Sequence, residues 1–226
     1  MSAHCCDHHA TPPKPDIGAG HRLALWLVLA INGAMFLVEI SAGLLSGSAA
    51  LQADSLDFLA DTANYGISLF VVGMALHVRA RAALVKTASM LVFGVWVLGV
   101  ALWHAMTGTL PEVHTMGIVG ATALVANAAS FGILWRFRAG DSNMRSAWIC
   151  TRNDVVGNIA VLLAALGVFG TGTAWPDIAV AAIMALLAIQ GAATLLPQAL
   201  AELRATARTD KPSSEIRPEG ASQPRL

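Results

Sequence analysis

Charge is what this chain lacks. Only 12% of its 226 residues are Asp, Glu, Lys or Arg, about half the roughly 25% of a typical soluble domain. Meanwhile 56% are hydrophobic and the mean hydropathy is +0.63. That shortage excludes an ordinary soluble globule, whose exterior must largely face water, and points to a protein that lives in lipid. Lys plus Arg number 14, as do Asp plus Glu, and a net charge of zero excludes the basic footprint of a nucleic-acid binder. Cysteine is scarce as well: Cys5, Cys6 and Cys150 are too few for a disulfide framework, and the adjacent pair reads as soft metal ligands. The first twenty residues lack the basic start and apolar run of a signal peptide and carry Pro12, Pro13 and Pro15, so a disordered cytoplasmic tail is expected there.

What is present is apolar length. A bilayer-crossing helix needs about 20 mostly apolar residues, and six stretches qualify, at approximately 22–44, 49–76, 85–107, 115–137, 147–170 and 175–196. The connectors between them are short and hold the Gly, Ser, Thr and Pro. Basic residues mark the cytoplasmic side of a membrane protein. Lys14 and Arg22 precede the first span, Arg79, Arg81 and Lys86 follow the second, Arg136, Arg138 and Arg145 follow the fourth, and five more follow the sixth. The three opposite loops carry none, and Arg152 is the one left over. Trp26, Trp135 and Trp148 then fall at the inner interface and Trp103 and Trp175 at the outer, as an aromatic belt requires, with Trp96 mid-span. The expected fold is an all-α membrane protein, a six-transmembrane-helix bundle with both termini cytoplasmic. Its expected divisions are a His/Cys-containing tail (1–20), the bundle (21–204) and a short disordered tail (205–226).

The informative residues are those that do not belong in an apolar lattice. The second stretch carries Asp54, Asp57 and Asp61. At 100° per residue, positions 57 and 61 lie about 40° apart and position 54 about 60° to the other side, so all three share one face. Each carboxylate near the centre of a spanning helix costs roughly 2.5–3.5 kcal/mol on insertion scales, so three on one stripe require a reason. In the fifth stretch Cys150, Asp154 and Asn158 recur at i, i+4 and i+8 on another stripe, while Arg152 points elsewhere. Two helices that each present two ligand atoms one turn apart are able to close a four-coordinate metal site. The expected ligands are Asp57, Asp61, Cys150 and Asp154. The competing reading, acids paired with cations inside the bundle, has only Arg152 to offer; a water-filled proton path without metal is the remaining one.

The run Ser48-Ala-Ala-Leu-Gln-Ala-Asp54-Ser-Leu-Asp57-Phe-Leu-Ala-Asp61 resembles the second transmembrane helix of the cation diffusion facilitator family. There a Ser-rich turn leads to an Asp, then His or Asp three residues on, then an Asp four further. Cys150-Thr-Arg-Asn-Asp154-Val-Val-Gly-Asn158 is similar to that family's fifth helix, and the resemblance covers about residues 20–200. It implies export of a divalent cation in exchange for protons, with Asp57, Asp61 and Asp154 as metal ligands. Cys150 departs from the family, standing where zinc-type members have His and manganese-type members Asp. A thiolate favours zinc, cadmium, cobalt or copper over manganese or magnesium. The family usually adds a cytoplasmic domain of some eighty residues; the polar stretch after the sixth span is too short to build a core. Regulation through such a domain is therefore expected to be absent, and a homodimer would have to form through membrane helices.

Electrostatics supplies a mechanism without the family. Three carboxylates within a few ångströms cannot all stay ionised in a low dielectric, so protons occupy the empty site, and metal displaces them because ligands bind deprotonated. Asp54, Asn158 and Glu39 are expected to support the ligands or the proton path. The tract His4-Cys5-Cys6-Asp7-His8-His9 has the composition of a metal-capturing tail. Asn127 and Gln190 are expected to bond between helices, Gly94 and Gly99 to allow close packing, and His104, Glu112 and His114 to be solvated. No permanently bound cofactor is expected; zinc, cadmium or cobalt is substrate, and protons, lipid and a bacterial plasma membrane complete the setting. The rival reading is a membrane metal sensor or accessory subunit that binds without transporting. A carrier of small organic cations would need an aromatic-lined cavity, and Tyr65 and a few Phe do not build one.

Overall fold

The computed structural model describes residues 19–71, 76–135 and 142–209. They form six α-helices and, among the described residues, no strand: α1 Ala19–Ser46, α2 Ala49–Gly66, α3 Leu76–Thr107, α4 Val113–Trp135, α5 Ser142–Thr171 and α6 Trp175–Thr209. A π-helical turn, Ile67–Val71, continues α2. Five helices contain segments long and apolar enough to cross a membrane: Arg22–Ser46, Ala80–Thr107, Val113–Trp135, Asp154–Thr171 and Trp175–Ala201. α2 is the exception, because three carboxylates fall within its eighteen residues.

Polarity is distributed inside out. Leu45, Met106 and Phe169 are 89%, 75% and 74% exposed, whereas Glu39, Asp54 and Asn158 are 0% exposed. In water such an apolar exterior would drive association; in lipid it is the stable arrangement, with polar groups turned toward one another. The protein is therefore a multi-pass integral membrane protein. Small residues let the helices approach, as expected where lipid removes the hydrophobic drive between them: Ala49, Ala50 and Ala53 of α2, Ala164 of α5 and Ala181 and Ala185 of α6 are all buried in one core with Leu51, Leu56, Val97 and Val161. α2 touches α1, α3, α5 and α6, and α3 packs most extensively on α6. A side chain at Gly94 would come within 3.0 Å of Ile189 Cγ1, so that glycine does serve close packing. Nothing approaches Gly99.

Three short connectors share one end of the bundle: Gly47-Ser48, residues 108–112 and residues 172–174. α3 and α5 each end on a glycine in the left-handed region, Gly108 (φ +67) and Gly172 (φ +62). Their N–H groups bond the carbonyls of His104 (2.9 Å) and Val168 (2.8 Å), which closes each helix end.

Several sequence boundaries need correction. His77 to Ala82, read as a cytoplasmic connector, already lies in α3, because Leu, Ala and Arg are strong helix formers whatever their charge. α6 runs past the expected end at 196, through Pro197, to Thr209. The second stretch is regular only to Gly66 before the π turn, and residues 72–75 lie outside the described residues. So do His4, Cys5, Cys6, Asp7, His8 and His9, the tract expected to capture metal, residues 136–141 with Arg136 and Arg138, and residues 210–226.

Candidate ion site

α2 carries the carboxylate stripe, and its start is held from two directions. Ser48 is extended (φ −91°, ψ 115°) and its Oγ accepts from Leu51 N–H at 3.1 Å, an N-cap. Asp177, at the start of α6, takes the rest: Oδ2 accepts from Ala49 N–H (2.9 Å), and Oδ1 accepts from Ala50 N–H (3.1 Å) and from the Ser48 hydroxyl (2.7 Å). Sequence reading passed over Asp177, since an acid in a first helical turn is normally explained by its own helix dipole. No signal in the sequence ties Asp177 to α2, since the two helix starts meet only in the folded bundle.

Along α2, Asp54 and Asp61 are buried and Asp57 is half-buried. The Asp54 carboxyl joins three other helices. Asn158 of α5 donates from Nδ2 to Asp54 Oδ2 at 2.6 Å, and Asn158 Oδ1 accepts from Asn127 Nδ2 of α4 at 3.0 Å. The Glu39 carboxyl of α1 lies against that of Asp54. Among the described residues no N–H or O–H group donates to either Glu39 oxygen or to Asp54 Oδ1. Carboxyl oxygens are acceptors unless protonated, so two such groups in contact are stable only with a proton or a cation between them. Further along, Tyr65 donates its hydroxyl to Asp61 Oδ2 at 2.8 Å. Tyr65, considered from the sequence only as a cavity wall, is placed for this bond by its i, i+4 spacing from Asp61.

The α5 stripe faces α2. Asp154 is 7% and Asn158 0% exposed. Between them Gly157 opens a gap: a Cβ there would stand 3.6 Å from Asp54 Oδ1, 3.6 Å from Asp57 Oδ2 and 3.6 Å from Met184 Cε. Asp57, Asp61 and Asp154 are thus brought onto two touching helices. Among the described residues, however, no three His, Cys, Asp or Glu side chains draw close enough to hold one ion. The expected fourth ligand, Cys150, and the nearby Arg152 lie on α5 with side chains outside the described residues.

Other expectations divide. Asn127 bonds between helices, but Gln190 is exposed. Asn32, buried on the Glu39 side of α1, donates within its own helix to the Val28 carbonyl at 2.8 Å. His104, expected to be solvated, is 8% exposed because the last turns of α3 lie against α6, near Asp177. Glu112 and His114 are exposed as expected. Glu112 caps α4: its carboxylate accepts from Thr115 N–H (2.7 Å) and His114 N–H (2.9 Å). Hydrogen bonds from Thr115, side chain and backbone, hold its carboxyl below the ordinary glutamate range.

Residues 25–204 match the cation efflux transmembrane domain. Among curated proteins, the metal cation efflux system protein CzcD of Cupriavidus metallidurans is 24% identical over 197 residues, 82% of this chain and 62% of the relative. The zinc transporter ZitB of Escherichia coli is 26% identical over 211 residues, 86% of this chain and 66% of the relative. A cadmium, cobalt and zinc/H(+)-K(+) antiporter of Bacillus velezensis is 23% identical over 190 residues, 76% of this chain and 59% of the relative. The chain thus spans less than two thirds of the length of each of these relatives.

Proposed function

The chain belongs to the cation efflux, or cation diffusion facilitator, family, and from that premise we propose that it exports a divalent metal cation, zinc, cadmium or cobalt, in exchange for protons. What carries the reading is the meeting of two acidic helix faces at Gly157, inside a domain matched over residues 25–204. α2 counts as a sixth span, shielded from lipid by its neighbours, which puts both termini in the cytoplasm of a bacterial cell and the three short connectors outside. On this reading residues 1–20 and 205–226 flank a transport bundle of 21–204.

Asp57, Asp61, Cys150 and Asp154 ligate the ion. Binding draws the α2 and α5 faces together and exchanges the Tyr65 bond to Asp61 for a metal bond. Metal needs its ligands deprotonated, whereas neighbouring carboxyls without metal hold protons between them. Occupancy by metal or by protons is therefore exclusive, and a bundle that presents the site to each side in turn runs metal against protons. Asp54 and Glu39, in contact with each other and oriented by Asn158, carry protons between the site and the outer side. The His4–His9 tract collects cytoplasmic metal.

The test is flux in reconstituted vesicles loaded with a metal-sensitive dye. Zinc or cadmium entry is expected only with a proton gradient, and Asp57→Ala or Asp154→Ala is expected to abolish it while the purified protein stays folded. Binding without flux would favour a sensor or accessory subunit instead.

A further inference from the structure

The four leading N–H groups of a helix have no partner within it, and most helices satisfy them locally. α2 does so only in part. Ser48 takes Leu51 N–H, and Gln52 N–H reaches the Ser48 carbonyl at 3.4 Å. Ala49 and Ala50 N–H instead rely on a carboxylate 127–128 residues away in sequence. Ser48 Oγ is doubly used, accepting from Leu51 and donating to Asp177. Asp177 and Ser48 are both 0% exposed, so neither has water as a substitute, and an unmet group there carries its full desolvation penalty. Gln52 adds a tie to α1, donating from Nε2 to the Gly43 carbonyl at 3.3 Å. The first residue of the carboxylate stripe, Asp54, follows within two residues of Gln52.

We propose that Asp177 is a positioning residue for the ion site: a clamp from α6 that sets the height and rotation of α2, and through them where Asp54, Asp57 and Asp61 stand relative to α5. Three bonds to one carboxylate, two of them to consecutive backbone N–H groups, fix a helix end against both sliding and turning; one bond would permit turning. On the transport reading, on which this proposal rests, loosening the clamp misplaces the ligands of α2 without removing any of them. The effect belongs in metal affinity rather than in the maximal rate.

The experiment compares the full chain with Asp177→Asn and Ser48→Ala in lipid, by amide hydrogen exchange and by zinc flux. Asp177→Asn keeps one acceptor oxygen and turns an NH2 toward an N–H of α2. Exchange at Ala49–Leu51 is expected to rise about tenfold, with α4 unchanged. The zinc concentration for half-maximal flux is expected to rise about fivefold, with the maximal rate per folded molecule kept within about twofold. Ser48→Ala, which removes the hydroxyl bond and α2's own cap, gives shifts in the same direction and carries the comparison should Asp177→Asn fail to fold. Unchanged exchange overturns the clamp. Raised exchange with an unchanged half-maximal concentration and a reduced rate overturns the positioning role and leaves a stability element. A parent chain that neither binds nor moves zinc overturns the transport reading and the positioning role together, while exchange still decides the clamp.

Discussion

Asn158 Nδ2 stands 2.6 Å from Asp54 Oδ2, and the same amide's Oδ1 accepts from Asn127 at 3.0 Å. The second bond dictates the first: with its oxygen engaged by Asn127, Asn158 has only its NH2 to offer Asp54. α4, α5 and α2 are thereby joined through one buried amide. Asn158→Ala strands Asp54 and Asn127 and is expected to cost about 1–3 kcal/mol, read as a lower melting temperature, with loss of most zinc flux. Asn158→Asp sets two carboxyls face to face and should move the pH optimum of flux; Asn127→Ala should cost less than either. Equal effects from all three would contradict the relay.

On the proposed function, Gly157 is expected to separate stability from transport. Alanine there meets only ordinary contacts at 3.6 Å, and in a helix it is favoured over glycine by roughly 0.8–1 kcal/mol. Gly157→Ala is therefore expected to melt at the same temperature or higher, yet to move zinc about tenfold more slowly, because its methyl group occupies the gap between Asp54 and Asp57. A variant that is both more stable and fully active would place the ion path elsewhere.

On the proposed function, metal choice rests on Cys150. Replacement by His keeps a borderline ligand, and replacement by Asp makes an all-oxygen site. Cys150→His should retain zinc flux and weaken cadmium relative to zinc, whereas Cys150→Asp should shift preference toward manganese. An identical profile across zinc, cadmium, cobalt, iron and manganese for all three proteins would remove Cys150 from the ligand set.

Removal of residues 2–9 takes away His4, Cys5, Cys6, Asp7, His8 and His9. The expected outcome is a higher zinc concentration for half-maximal flux with a near-normal maximal rate; an unchanged concentration dependence would reject metal capture.

Glu112 gives a pH dependence with a definite sign. Its carboxyl is held below its ordinary value of 4.5 by bonds from Thr115 and His114. The carboxylate therefore contributes stability above that value, and the contribution is lost as pH falls through the lower folded one. The melting temperature of Glu112→Gln should lie slightly below the parent's at pH 7, and the two should converge in acid. A gap that persists there would assign the effect to shape alone.

Both carboxylate stripes were legible because helical periodicity places Asp54, Asp57 and Asp61, and likewise Asp154 and Asn158, without knowledge of packing. Which stripe residue meets which partner was not, since that depends on helix rotation and axial offset. Asn127 was expected to bond between helices, but only packing identifies Asn158 as its partner. Asp177 was illegible for a related reason: the helix it caps is not its own. His104 and Gln190 were misplaced because nearness to a loop, or polarity alone, does not say which way a helix turns. The start of α3 was misplaced because basic residues reveal the side of the membrane but not whether the backbone is helical.

The composition of α2 also bears on how the chain enters a bilayer. At roughly 2.5–3.5 kcal/mol for each carboxylate near a helix centre, three of them outweigh much of the gain from the apolar residues within its eighteen, so α2 alone is a poor candidate for insertion. Only Gly47 and Ser48 separate it from α1, and the Asp177 that completes its first turn is synthesised over a hundred residues later. On the proposed six-span reading, biogenesis then has an order written into it: α1 leads, α2 follows as the second limb of a hairpin, and its final seat waits for the last helix to arrive.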